Sequence, residues 1–210
     1  MSFQDYTPDQ EDALQEVVNI AMGQAGSALA HILDSYVALS VPRVRIVSAQ
    51  DVADAVAEMI SGTREGDPEQ MTAVRQAFFN NLRGESIVLF GAGGCDDLAD
   101  LLGHDQALAQ EETNEELLLD VANILSGAVL NGIAQQLETD FAYSAPTLMA
   151  RGGSVQDLLN PEMLGWEYAL LVEVNFSLEA RGFSCHLVLL MPETSIDLMR
   201  EVLDRMLEAL

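Results

Sequence analysis

Apolar residues recur every three or four positions along two stretches of this chain. Leu14, Val18, Ala21, Ala25, Ala28 and Ile32 form the first stripe, and Leu118, Ala122, Leu125, Val129, Ile133 and Leu137 the second. That spacing places each set on one face of a long helix. Thr7-Pro8-x-Gln10 predicts where the first helix begins: Thr7 caps, Pro8 fits the first helical position and Gln10 closes a capping box. Thr113-x-x-Glu116 predicts a similar box for the second. After each helix comes an extended segment with a proline near its start, 41–47 and 145–150, where a missing N–H is tolerated. Short helices are expected at 52–60 and 155–159, with 62–68 a loop.

Two further strands are expected in each half, 71–80 with 86–91 and 168–177 with 183–191. Gly84 lies in the first turn, and Glu179-Ala180-Arg181-Gly182 forms the second. In the third of these strands Leu171, Glu173, Asn175 and Ser177 partly alternate with Leu170, Val172, Val174 and Phe176, a half-buried pattern. Each half closes with a helix, 96–102 and 194–209, the latter carrying Ile196, Met199, Leu203 and Met206 on one face. Residues 104–112 connect the halves.

The two halves also match residue by residue. Asp12-x-x-x-Glu16-x-x-Asn19 is followed after 22 residues by Pro42. Glu116-x-x-x-Asp120-x-x-Asn123 is followed after 22 residues by Pro146, at a constant offset of 104. The same offset pairs Leu14 with Leu118, Val17 with Val121, Ile20 with Ile124, Gly23 with Gly127, Ala30 with Ala134 and Leu33 with Leu137. Such self-similarity is the signature of an internal repeat. The expected fold is α+β, a duplicated α-β-β-β-α unit with pseudo-twofold symmetry. About six strands form a mostly antiparallel sheet, with the two long motif helices packed on it. Residues 1–210 are read as one domain, with repeats at about 1–104 and 105–210.

Charge narrows the function. Nine Lys and Arg oppose 34 Asp and Glu among 210 residues, a net charge of -25. Nucleic acids and anionic membranes are bound through Lys and Arg, so neither is an expected partner. A basic protein surface suits this chain better. Met1-Ser2-Phe3-Gln4-Asp5 does not read as a secretory leader, and no uninterrupted apolar run approaches the length of a membrane span. Cys95 and Cys185 do not resemble a disulfide framework, so a cytoplasmic location is expected.

The repeated polar residues carry the chemistry. Residues three apart on a helix are surface neighbours, so Glu16 and Asn19 share a face, together with Asp12, Gly23, Gly26 and Ala30. Asn and Gly are poor helix-interior residues, Gly by about 1 kcal/mol relative to Ala. Both halves nevertheless keep them in register, Asn19 with Gly23 and Asn123 with Gly127. An acid, an amide and small residues form a surface that another molecule can approach closely. The blander alternative is an exposed Asn beside a Gly that eases helix packing.

The acid-x3-Glu-x2-Asn-x22-Pro pattern, present twice in about 200 residues, resembles the CheC branch of the CheC/CheX/FliY chemotaxis phosphatases. The resemblance covers nearly the whole chain. Two copies are similar to CheC rather than to the shorter CheX, and no length remains for the flagellar-switch domain of FliY. The resemblance implies hydrolysis of the aspartyl phosphate on a phosphorylated CheY-like receiver protein. It implies that Asn19 and Asn123 orient the attacking water, that Glu16 and Asp120 pair with the regulator's Lys, and that Asp12, Gly23, Glu116 and Gly127 lie at the docking surface. It implies no cofactor or metal held by this chain, with Mg²⁺ on the partner, and it admits a CheD-like deamidase as a second partner. Asp120 departs from the pattern, which has Glu there. Asp is one methylene shorter, and misplacement by about 1 Å can cost about 100-fold. The first site is therefore expected to dominate. The rival expectation is a non-catalytic module that docks the regulator or the deamidase.

Other signals point elsewhere. Gly91-x-Gly93-Gly94 is followed by Asp96 and Asp97, which suit a tight turn better than a phosphate cradle. His31, His104 and His186 lack metal-ligand spacing. Cys185 and His186 are adjacent in a strand and point to opposite faces.

Overall fold

A computed structural model describes residues 6–62, 67–91, 98, 111–160, 165–178 and 183–208, with backbone alone for 111–114 and 178. The first helix, α1 (Pro8–Leu33), begins as its sequence predicts. The Thr7 backbone N–H donates to Gln10 Oε1 at 2.9 Å, and the Gln10 N–H donates to Thr7 Oγ1 at 3.3 Å, closing the capping box. Asp34 ends it with φ 44°, in the left-handed region that stops a helix. Leu14, Val18, Ala21 and Ala25 are fully buried. Each Leu or Val so buried contributes roughly 1.5–3 kcal/mol.

The remaining described elements are β1 (Ala38–Leu39), β2 (Arg43–Ser48), α2 (Val52–Ser61), β3 (Met71–Asn80), β4 (Gly84–Phe90), α3 (Glu111–Gln136), β5 (Phe141–Tyr143), β6 (Thr147–Gly153), α4 (Val155–Leu158), β7 (Tyr168–Leu178), β8 (Phe183–Pro192) and α5 (Glu193–Glu208). One eight-stranded sheet contains all the strands, and every pairing is antiparallel. The α+β expectation holds, with eight strands in place of about six. The added pieces are β1 and β5, short runs just before each proline. The second helix starts at Glu111, so the backbone at Thr113 is already helical and cannot be its cap. The expected helix at 96–102 and the turn at 92–97 lie outside the described residues, apart from Leu98.

The strand order shows how the halves interlock. From one end it runs β1 and β2, β7, β8, β4, β3, then β5 and β6. Exchanging β1 with β5, β2 with β6, β3 with β7 and β4 with β8 reverses the order onto itself. The axis passes between Ile87 and Val188, which face each other at the β4–β8 junction. Arg75 pairs with Ile87 and Thr147, while Glu173 pairs with Val188 and Arg43. Arg75 therefore corresponds to Glu173, Gln76 to Val174 and Ala77 to Asn175.

Helices cover both faces. One core joins α1, α3 and α5 to Val74, Phe78, Val88, Val172, Val174 and Phe176. The other joins α2 and α4 to Ala73, Ile87, Leu171 and Val188. This corrects the half-buried reading of β7: Leu170 through Val174 are all buried, Glu173 included. Burial pushes the Glu173 carboxyl upward, opposed by Arg45, whose Nη2 donates to Oε1 and Oε2 at 2.9 and 3.1 Å. A buried charge persists only with such a partner. Where α1 and α3 cross, a Cβ on Gly132 would lie 2.6 Å from Ala21 Cα, so the close approach requires glycine there. The 115–136 stretch of α3 is long and apolar enough to cross a membrane by composition, with a mean hydropathy of 1.6 in its richest window. It packs instead as a core helix, with Leu118, Leu125, Val129 and Ile133 buried against α1 and the sheet.

Candidate functional site

Each motif helix meets the loop that carries its own distal proline. In the first half, Gln15 Nε2 donates to the Pro42 carbonyl at 3.4 Å. In the second, the loop is reached from the sheet: Gln76 Nε2 donates to the Ser144 carbonyl at 2.9 Å and to Asn123 Oδ1 at 2.9 Å. The 22-residue spacing thus brings proline back beside the helix. Because β1 and β2 lie at one end of the sheet and β5 and β6 at the other, the copies form two separate sites.

A serine two residues before each proline builds the loop. The Ser40 N–H donates to the Asn175 carbonyl at 3.0 Å, and the Asn175 N–H returns to Ser40 Oγ at 3.0 Å. The Ser144 N–H donates to the Ala77 carbonyl at 2.9 Å, and the Ala77 N–H returns to Ser144 Oγ at 3.0 Å. These bonds match across the axis and fix each loop to the neighbouring strand. The Ser-x-Pro pair was visible at the same offset of 104, yet its role depends on strand pairing that no local pattern encodes.

The sequence-selected residues lie where a visitor can reach them. Asp12, Glu16, Asn19 and Gly23 are exposed on α1, and Glu116, Asp120 and Asn123 on α3, with Gly127 half-buried. Among the described residues nothing bonds the side chains of Glu16 or Asn19. A Cβ at Gly23 or Gly127 would meet nothing within 4 Å, so both glycines open onto free space. Gly26 does not belong to this open face: it is buried, and Leu39 covers it 2.7 Å from a virtual Cβ.

The surroundings of the two copies differ. Beside Asn19 on α1, Ile20 is 38% exposed; in the segment between α1 and β2, Tyr36 is 83% and Val41 73% exposed. Their counterparts are the half-buried Ile124 and the small or charged Ala145 and Asp140. Leu39 has Tyr143 as its counterpart, whose hydroxyl donates to Asn131 Oδ1 at 2.6 Å. Glu115, beside the second motif, is paired with Arg151. The second copy is thus tied into the chain at points where the first is open. No cluster of three or more potential metal ligands occurs among the described residues.

Residues 10–46, spanning the first motif, its proline and the first part of β2, match the CheC-like family. Over this stretch, 37 of its 210 residues, the chain is similar to that family. Its fold is that of FliY from Thermotoga maritima, 18% identical over 95% of this chain and 98% of that one, with a TM-score of 0.69. FliM from H. pylori, solved with SpeE, is 12% identical over 95% of this chain and 97% of that one, with a TM-score of 0.61. CheX from Desulfovibrio desulfuricans is 12% identical over 83% and 99%, with a TM-score of 0.54. These three likenesses establish architecture alone. The family match includes the first motif and ends before the second.

Proposed function

We propose that this CheC-like chain, acting in the cytoplasm as a single domain, hydrolyses the aspartyl phosphate of a CheY-like regulator. One observation carries the reading: Glu16 and Asn19 stand exposed one helical turn apart, with no side-chain bond among the described residues to give up. A phosphoryl transfer site needs positioning and charge placement more than covalent chemistry. The Asn19 amide both donates and accepts, so it can hold a water against phosphorus while staying neutral. Glu16 offers a carboxylate to the Lys beside the phosphate. Water oxygen bonds to phosphorus, the acyl P–O bond breaks, and the regulator's Asp leaves as a carboxylate while water's proton passes to phosphate or solvent. Mg²⁺ belongs to the regulator. Exposed apolar Ile20, next to Asn19, and Val41, next to the Pro42 that Gln15 reaches, supply area for docking.

A second reading has support of its own. Asp120 is short, Asn123 is already bonded, and FliM, which shares the fold, is solved bound to another protein. A non-catalytic module that docks the regulator or a CheD-like deamidase has these features. Decay of an acyl-phosphorylated regulator, followed with substoichiometric amounts of this chain, separates the two. Multiple turnovers are expected. Slower decay, or acceleration only at equal stoichiometry, would favour the binding module.

A further inference from the structure

Gln76 is a buried glutamine in the middle of β3, 4% exposed, at a position that the twofold assigns to Val174 on the other side. A buried amide in a sheet core costs stability unless its groups are satisfied. Here Nε2 is fully used, but Oε1 is buried with no partner. An apolar residue fills the equivalent place in the first half without this cost, so packing alone does not account for Gln76.

Its bonds suggest what it does. The Ser144 carbonyl only accepts, so the side chain must present Nε2 toward the loop. The second hydrogen of that nitrogen then points at Asn123, which must answer with Oδ1. Asn123 is exposed and its oxygen is drawn inward, leaving Nδ2 directed away from the sheet. Val174 can make no such bond, and Asn19 has none among the described residues. We propose that Gln76 is a positioning residue for the second site: it locks the Asn123 amide to the proline loop so that a single rotamer faces a docked regulator. The catalytic part of this proposal rests on the phosphatase reading above; the holding contact does not.

The consequence is a division of labour between the copies. Asp120 weakens capture of the regulator, whereas Gln76 presets the group that aims the water. The second site should therefore be deficient in KM more than in kcat. In an Asn19→Ala background, which isolates the second site, Gln76→Val should lower kcat roughly tenfold with KM unchanged, as loss of orientation does. Gln76→Met, of similar length and without donors, should do the same. Neither should lower Tm much, because the unpaired Oε1 is removed and the two acceptors that lose their donor belong to exposed residues that can bond water. In the full chain, side-chain amide relaxation by NMR should show Asn123 more ordered than Asn19, and Gln76→Met should erase the difference. Equal mobility of the two amides, an unchanged kcat, or a change in KM alone would overturn the inference. Absence of turnover in the unmutated protein together with an ordered Asn123 would remove the phosphatase reading and leave the holding contact standing.

Discussion

The two motif helices share a motif and a place in the fold, yet they present different surfaces. On α1 the acid has its full reach, the amide is unbonded and the rim is apolar and open. On α3 the acid is shortened, the amide is gripped from the sheet, and the rim is small, charged or hydrogen-bonded inward. The backbone symmetry survives because it is fixed by strand pairing and by the serine bonds, none of which involves the exposed face. The exposed residues can drift independently in each half. The difference separates what the fold requires from what a partner requires.

The strongest test of that comparison removes both amides. Asn19→Ala with Asn123→Ala should lower turnover of the phosphorylated regulator by at least about 100-fold, the usual scale for a positioned polar group. A stopped assay of phosphate release would show it; residual activity near wild type would mean that neither amide aims the water. The halves also differ beneath the surface, where the axis matches buried His186 with half-buried Glu85. Burial pushes the His186 imidazole down to about 4. The unfolded chain then binds more protons between about pH 6.5 and 4, so stability falls as pH falls through that window. Over that range, denaturant unfolding should show His186→Leu losing about 3 kcal/mol less than wild type.

Smaller effects refine the contrast. Asn19→Ala alone should cost several-fold more in kcat/KM than Asn123→Ala, and equal losses would abolish the asymmetry. Adding Asp120→Glu to the Asn19→Ala chain should raise kcat/KM by roughly tenfold, about 1.4 kcal/mol, chiefly through KM. Smallest is Gly23→Ala, which meets no neighbour within 4 Å and should stabilise the helix by up to about 1 kcal/mol. If the glycine face is a docking surface, the same methyl should weaken regulator binding measured by calorimetry, with Gly127→Ala less affected.

Much of this was legible from spacing. The 71–80 strand was read to the residue, and the α1 cap down to its reciprocal bonds, because alternation, Pro8 and the Thr7–Gln10 pair are local signals. The second cap was misread: the backbone is already helical at Glu111, two residues before the Thr113 motif that was taken to open the helix. β1 and β5 escaped because two or three residues hold no period; cross-strand bonds from the other half make them strands. Glu173 looked like the solvent side of a strand because nothing in β7 announces Arg45 or the helix above it. Of the site, the motif residues were visible, whereas Gln76 was not. A lone glutamine among apolar residues acquires meaning only when β3 lies under α3 beside the 144–146 loop.

The exchange of edge strands has a consequence for how this protein is made. β2 pairs with β7, so the loop bearing Pro42 has no strand to rest on until residue 178 has been synthesised. During synthesis the first motif helix meets α3 before the strand that anchors its own proline loop exists. The copy with the more open surface is also the one that the ribosome delivers first and the fold completes late.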